Sequence, residues 1–393
     1  MKITSLTAIP LQASFADIFG GADKVPPHIS TPASHFRRIK RTGQVTTLVV
    51  VQGDDGSVGY GEAFGLPHPY AASALVNHVV APFLIGATVG RPAEMMADLS
   101  RYFAALGSTR GPAMEALSGV DIALWDLQAR AKGVPLATLL GGTPGPVATY
   151  VSPVGMHETV EASAQAALSF VEQGFTAIKL KIGRGRDTDV AHLAAVREAV
   201  GSAMPLFVDA NCAYDVATAI KIASALEPFD IGWFEEPIPP DNPQALAQVR
   251  RASPVPIAAG ENEFTMDAYK ALVEAEAVDF LQPNITRSGG VSGLLDVGAL
   301  CEQSGIKMAP HGVGGCVAVG ASLHACRAAQ AFHSYEANRL LNPLRDNLGV
   351  HPVRLENGCL IAEAQPGHAG EPHLEKLAKY RLGSGEYRRN EVA

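Results

Sequence analysis

Eight short apolar runs in this 393-residue chain each close on a polar residue, and the closing residues recur every 23–29 positions: Ser152, Lys181, Asp209, Glu235, Glu261, Asn284, His311 and Glu336. The runs fall at 147–152, 177–182, 206–209, 231–235, 257–260, 279–282, 307–310 and 331–336. Amphipathic stretches such as 159–172, 190–200 and 216–226 separate them. Strand–helix alternation demands a parallel sheet with right-handed crossovers, because each helix must carry the chain back to start the next strand in the same direction. Eight such units over about 200 residues predict an α/β fold of the (β/α)8-barrel kind. A doubly wound sheet of six strands is the structural alternative.

The chain ahead of this pattern reads as a separate α+β unit, residues 1–130. Residues 2–11 alternate as a strand, and 45–64 form a hairpin around the Asp55-Gly56 turn signal. Residues 70–84, 92–106 and 112–132 have helical periodicity; the last places Ala116, Val120, Ala123 and Leu127 on one stripe and stops at Gly133. Residues 16–34 form a long irregular segment, which at that length is either disordered or a lid.

Composition narrows the class. With 47% hydrophobic and 18% charged residues the chain can build a core. A net charge of −8 gives no basic field for nucleic acid or anionic membrane. The five cysteines (Cys212, Cys301, Cys316, Cys326, Cys359) are odd in number and form no CxxC pair, which fits a reducing compartment. The opening MKITSLTAIPLQASF lacks a leader-like apolar stretch, and no run of about 18 apolar residues suggests a membrane span. The expectation is a soluble, cytoplasmic protein.

Barrel enzymes carry their chemistry at the C-terminal ends of the strands. Three consecutive ends here are carboxylates: Asp209 in LFVDAN, Glu235 in WFEEP and Glu261 in AAGENE. Converging carboxylates repel, and a hard divalent cation relieves the repulsion; three carboxylate oxygens with open positions suit Mg²⁺. Period two turns the neighbouring Glu236 to the opposite face, which leaves Glu235 as the ligand. Asn211 lies two beyond Asp209 on the same side. The unit before supplies Lys179 and Lys181 on one strand face. Two adjacent ammonium groups depress each other's pKa, so one can act as a base while the other holds a carboxylate. His311 faces Lys181 across the mouth, on the seventh strand against the second. Glu336 and Ser152 are the remaining strand-end candidates; for Glu336 a rim salt bridge is the plain alternative. GRGRD at 183–187 could grip a phosphate, but it follows strand two, whereas barrel phosphate sites favour strands seven and eight.

KLK at 179–181, VDAN at 208–211, EEP at 235–237, GEN at 260–262, QPNITRSGG at 282–290 and PHG at 310–312 together resemble the enolase superfamily, in its mandelate racemase/muconate lactonizing branch. SGVDIALWDL at 118–127 resembles the helix that leads into this family's barrel. The resemblance implies a modified TIM (β/α)8 barrel over 131–345 beneath an N-terminal α+β capping domain, with residues 346–393 packing back on it. It implies Mg²⁺ on Asp209, Glu235 and Glu261, Lys181 as base, and Lys179 on the substrate carboxylate. The capping loops would be 16–34 and 64–70, with His28 and His68 as substrate contacts. It also implies a homo-oligomer acting on a small carboxylate. One position departs: the family's strand-six aspartate, which orients the strand-seven histidine, is Asn284 here. An amide adds no charge, so His311 should be the poorer base.

The implied chemistry is proton abstraction α to a carboxylate, giving an enediolate. Expulsion of a β-hydroxyl makes the enzyme an acid-sugar dehydratase. Return of a proton from the other face makes it a racemase or epimerase, which needs a second competent base. Asn284 weakens that base, and the polar set Asn211, Asn262, His311 and Glu336 suits a polyhydroxylated substrate; dehydration is the expected reaction. A non-catalytic ligand-binding barrel is the remaining reading, although buried charges without a use are costly.

Overall fold

The structure is a computed structural model and describes residues 1–36 and 38–383. An antiparallel three-stranded sheet opens the chain: β1 (Ile3–Ser14), β2 (Gly43–Gly53) and β3 (Val58–Phe64), in the order β1-β2-β3. The helix Pro112–Ala131 lies across it, almost wholly buried. Its approach is close because β3 carries Gly61 at the crossing. A Cβ there would sit 1.9 Å from the carbonyl oxygen of Gly119, so only a glycine strand position admits the helix backbone.

Residues 16–34 are not one irregular lid. Short helical turns at Phe15–Phe19, Ala22–Lys24 and Pro27–Ser30 occupy most of the segment. Ser14 caps the first by accepting from Asp17 N, and Pro27 sits where a helix tolerates proline, in its first turn. Local capping chemistry thus organised a stretch whose composition reads as loop.

The second unit is a barrel of eight strands: β4 (Gly145–Val154), β5 (Ile178–Lys181), β6 (Leu206–Asp209), β7 (Ile231–Glu235), β8 (Ile257–Ala259), β9 (Phe280–Leu281), β10 (Lys307–Met308) and β11 (Tyr335–Asn338). Neighbours pair in parallel from β4 to β10, and β11 pairs in parallel with β4. A parallel bridge between Met308 and Phe332 closes the ring. Alternation sets the interior: Tyr150, Phe207 and Trp233 point inward and form an apolar floor, Phe207 stacking on Trp233 with centroids 3.6 Å apart. Two residues on, Ser152, Asp209 and Glu235 point into the same space one layer higher.

The C-terminal segment serves both units. Residues β12 (Leu355–Glu356) and β13 (Cys359–Ala362) form a hairpin whose second strand pairs antiparallel with β4. Further on, Leu382 N donates to Pro10 O and Tyr70 Oη donates to Gly383 O, 2.5 Å away, tying the chain to the first unit. The last ten residues of the 346–393 segment lie outside the described residues. Among the described residues no helix is long and apolar enough to cross a membrane.

Candidate active site

Parallel register puts the key side chains side by side. Lys181 is the cross-strand partner of Asp209, and Asp209 is the partner of Glu235; Glu261 follows β8 directly. The nearest carboxylate oxygens of Asp209, Glu235 and Glu261 all lie within 4.8 Å of one another. Asp209 and Glu235 are wholly buried, and Glu261 nearly so. Such closeness raises Glu235 well above the usual carboxylate range, through burial first and then the Asp209 charge. Asp209 is instead held below its usual range: burial opposes this, but Lys181 and Lys179 outweigh it.

These residues fit a divalent cation. Their donors are hard oxygens converging on one point, and Glu261 Oε2 is buried with no hydrogen-bond partner. Outer contacts already orient the set. Gln282 Nε2 donates to Glu235 Oε2 at 2.6 Å and Trp233 Nε1 donates to the same oxygen at 3.1 Å. The backbone N of Asn211 donates to Asp209 Oδ1 at 2.8 Å.

The two lysines part company. Lys181 Nζ donates to Asp209 Oδ2 at 2.5 Å and lines a cavity of about 920 Å³ between the two units. Lys179 is wholly buried beneath it, bonded to Glu235 and 3.3 Å from Glu336 Oε1 and 3.5 Å from Asp209 Oδ2; the cavity lining does not include it. The mutual depression expected of the pair is overridden. Burial pushes both down, yet the carboxylates raise Lys179 well above its ordinary value and Lys181 above its own.

His311 lines the cavity opposite Lys181, its Nε2 3.2 Å from Glu261 Oε2 and 3.5 Å from Glu336 Oε2. Asn284, wholly buried, meets His311 Nδ1 at 2.8 Å. Glu336 is buried behind both, accepting from Gly312 N at 2.9 Å; burial opposes its ionisation, but Lys179 and His311 hold it down at about 2. Ser152 is wholly buried, its Oγ without a partner, and does not reach the cavity lining.

The largest departure from period-two reasoning is Glu236. The strand ends at Glu235, and Glu236 takes a φ of +41°, which swings its side chain back over the mouth. It lines the cavity and accepts from Asn262 Nδ2 at 2.6 Å. Burial, followed by Glu261 and Asp209, raises it well above the carboxylate range. A left-handed turn at Asn211 (φ +42°) brings that residue to the lining likewise.

The capping contacts also differ from expectation. His28 packs on His157 and His68 on Tyr70, with ring centroids 5.4 and 4.7 Å apart, and neither lines the cavity. His35 does, with burial first and then Lys181 lowering its pKa. Arg41 lines it too; burial brings it down to about 10, and its guanidinium donates to Gln44 Oε1, with no carboxylate partner among the described residues. Arg287 completes the wall, its guanidinium 4.2 Å from the Phe64 ring and 4.8 Å from the Phe264 ring. The sequence marks Arg287 only through QPNITRSGG, and His35 and Arg41 carry no motif. In the GRGRD loop, Gly183 N and Arg184 N donate to Asp189, so these amides cradle a side chain rather than a phosphate.

Known proteins share this architecture. Residues 161–376 match the family described as enolase C-terminal domain-like, and 25–141 match the mandelate racemase / muconate lactonizing enzyme N-terminal domain. A D-galactarolactone cycloisomerase from Agrobacterium fabrum is 33% identical over 347 residues, covering 85% of this chain and 91% of its own. An arabinonate dehydratase from Saccharolobus solfataricus is 30% identical over 81% of this chain and 85% of its own. A racemase from Streptomyces coelicolor A3(2), solved with bound magnesium, superposes with a TM-score of 0.86 at 28% identity, covering 97% of this chain and all of that one. Since the matches span both units and the barrel tips carry the acidic triad with its paired lysines, the chain belongs to the enolase superfamily, in the mandelate racemase/muconate lactonizing branch.

Proposed function

We propose that the protein is a Mg²⁺-dependent lyase that removes the proton α to the carboxylate of a sugar acid and eliminates the β-hydroxyl, giving a 2-keto-3-deoxy acid. One observation carries the reading: Lys181 and His311 line one cavity and bracket the acidic triad, Lys181 on Asp209 at 2.5 Å and His311 beside Glu261 at 3.2 Å. When bound among Asp209, Glu235 and Glu261, the cation neutralises the carboxylate charge that keeps Lys181 protonated and polarises the substrate carboxylate. Lys181 then takes the C2 proton. Lys179 and Gln282 hold Glu235 in place from the buried side. His311 reaches the substrate from the opposite wall, where it hydrogen-bonds a substrate oxygen. Arg41, a cation without a carboxylate partner among the described residues, supports an anionic ligand in the same space. Relatives named as dehydratases of arabinonate and of L-talarate/galactarate support the substrate class.

A second reading, isomerisation through the same enediolate, is favoured by the relatives named as cycloisomerases. A panel of mono- and diacid sugars incubated with enzyme and Mg²⁺ separates the two. A keto acid trapped with semicarbazide is the expected product. An isomer of unchanged mass with no keto acid would replace dehydration by isomerisation.

A further inference from the structure

The hydrogen bonds around Asn284 determine which nitrogen of His311 carries its proton. Asn284 Oδ1 accepts from Thr286 N at 2.9 Å and from Thr286 Oγ1 at 2.6 Å. Its Nδ2 meets His311 Nδ1 at 2.8 Å and donates to Val313 O at 3.3 Å. An amide can be turned end for end, but not here. The Thr286 backbone N–H can only donate and the Val313 carbonyl can only accept, so both ends of the amide are assigned by groups with no choice. Asn284 therefore presents an N–H to His311, and Nδ1 must accept. The ring proton then resides on Nε2. An Nδ1–H would point at another N–H. A carboxylate at position 284 would do the reverse, accepting from Nδ1–H and leaving the Nε2 lone pair free toward the cavity.

Nε2 makes no hydrogen bond among the described residues. It lies 3.2 Å from Glu261 Oε2 without aligning on it, and that oxygen is unpartnered. An N–H is thus left pointing at the place where a substrate oxygen would sit.

We propose that the Thr286–Asn284 pair locks His311 in the Nε2–H tautomer, so that His311 is a hydrogen-bond donor only and Lys181 handles both proton transfers. Thr286 is a positioning residue acting through Asn284. The second half of this inference rests on the lyase reading above. The Lys181 lone pair takes the C2 proton, and the C2–H electron pair enters the enediolate. The same ammonium then gives that proton to the C3 oxygen. The C3–O bond breaks with its electron pair, water departs, and C2=C3 forms; solvent protonates C3 as the enol becomes the keto acid. His311 donates to a substrate oxygen on its own face without surrendering its proton, since loss of an imidazole N–H would leave an unfavourable anion. Leaving group and Lys181 are then on the same face of the substrate. With its proton held on Nε2, His311 offers C2 no base, so the native enzyme does not invert C2 through it.

The tautomer is read without substrate, by ¹⁵N NMR of the Mg²⁺-loaded protein labelled at histidine, with His311 assigned by difference from His311→Gln. The expected spectrum shows a protonated-type Nε2 and a bare Nδ1. Asn284→Asp should reverse the two, Thr286→Val should broaden or mix them, and Thr286→Ser should restore the native pattern. A native Nδ1–H, or an Asn284→Asp spectrum identical to the native one, would overturn the lock whatever the substrate proves to be. On a turned-over sugar acid, Thr286→Val should lower kcat roughly tenfold or more with KM little changed, and Thr286→Ser should recover it. Asn284→Asp should begin to epimerise C2. C2 inversion by the native enzyme would sink the single-base assignment while leaving the tautomer result standing.

Discussion

At the residue scale the site is a cluster of buried charges whose converging carboxylates fit a divalent cation. Glu235 shows the logic: it is wholly buried, yet both its oxygens are spoken for, by Lys179 on one side and by Gln282 and Trp233 on the other. Gln282→Leu removes the 2.6 Å donor while keeping much of the volume. It should weaken Mg²⁺ affinity by about 10–100-fold with the fold intact, measured by calorimetric titration; unchanged affinity would show that Gln282 does not orient the ligand. Residues at strand tips were legible in advance because parallel register converts a regular sequence spacing into a spatial ring, as for Lys181, Asp209 and Glu235. Glu236 was not. Its place over the mouth follows from a φ of +41° just past the strand end, and nothing in the alternation pattern announces where alternation stops. The sequence points to His28 and gives no sign of His35, because only tertiary packing decides which histidine enters the cavity.

Elements join the two units through buried acids at helix starts. Glu62 at the end of β3 accepts from Gly315 N at 2.6 Å and Ala318 N at 2.9 Å, at the beginning of the helix Cys316–Cys326. Asp121 of the helix Pro112–Ala131 accepts from Ser292 N at 3.0 Å and Ser292 Oγ at 2.6 Å, at the start of Gly290–Ser304. Helix N-termini favour such anions, yet burial dominates and raises Asp121 to about 7. The sign follows. A carboxyl raised on folding stabilises fully below its ordinary value of 3.8, and that contribution is lost as pH rises toward 7. Asp121→Asn removes the titration, so the difference in Tm, native minus variant, should fall steadily from pH 4 to pH 7 and then level off. A flat difference would place Asp121 at its ordinary value. Gly61→Ala tests the helix–sheet crossing, where a Cβ meets Gly119 O at 1.9 Å. It should lower stability by about 3 kcal/mol or more in urea unfolding. The helix SGVDIALWDL was readable from its apolar stripe; its docking acids were not, because a buried aspartate looks like a surface one until its partner is known.

For the whole molecule, the barrel supplies the charges and the first unit closes the space above them. His35 and Arg41 come from the first unit, Lys181 and His311 from the second, and all four line one cavity. Mg²⁺ should therefore raise Tm in a concentration-dependent way, and EDTA should reverse the shift, because a ligand bound only by the folded state stabilises it by mass action. The repeated strand–helix units and their acidic ends could be read from the sequence, whereas the cavity's ceiling could not, since a segment organised by local caps carries no period. The most direct test of the central claim follows hydrogen at C2 of a turned-over sugar acid in D₂O, by NMR, for the native protein and for Lys181→Ala in the presence of Mg²⁺. The native protein should break the C2–H bond, and Lys181→Ala should slow that step by about a thousandfold or more while folding and binding the cation normally. Loss of the C2 hydrogen at equal rates in the two proteins would contradict it.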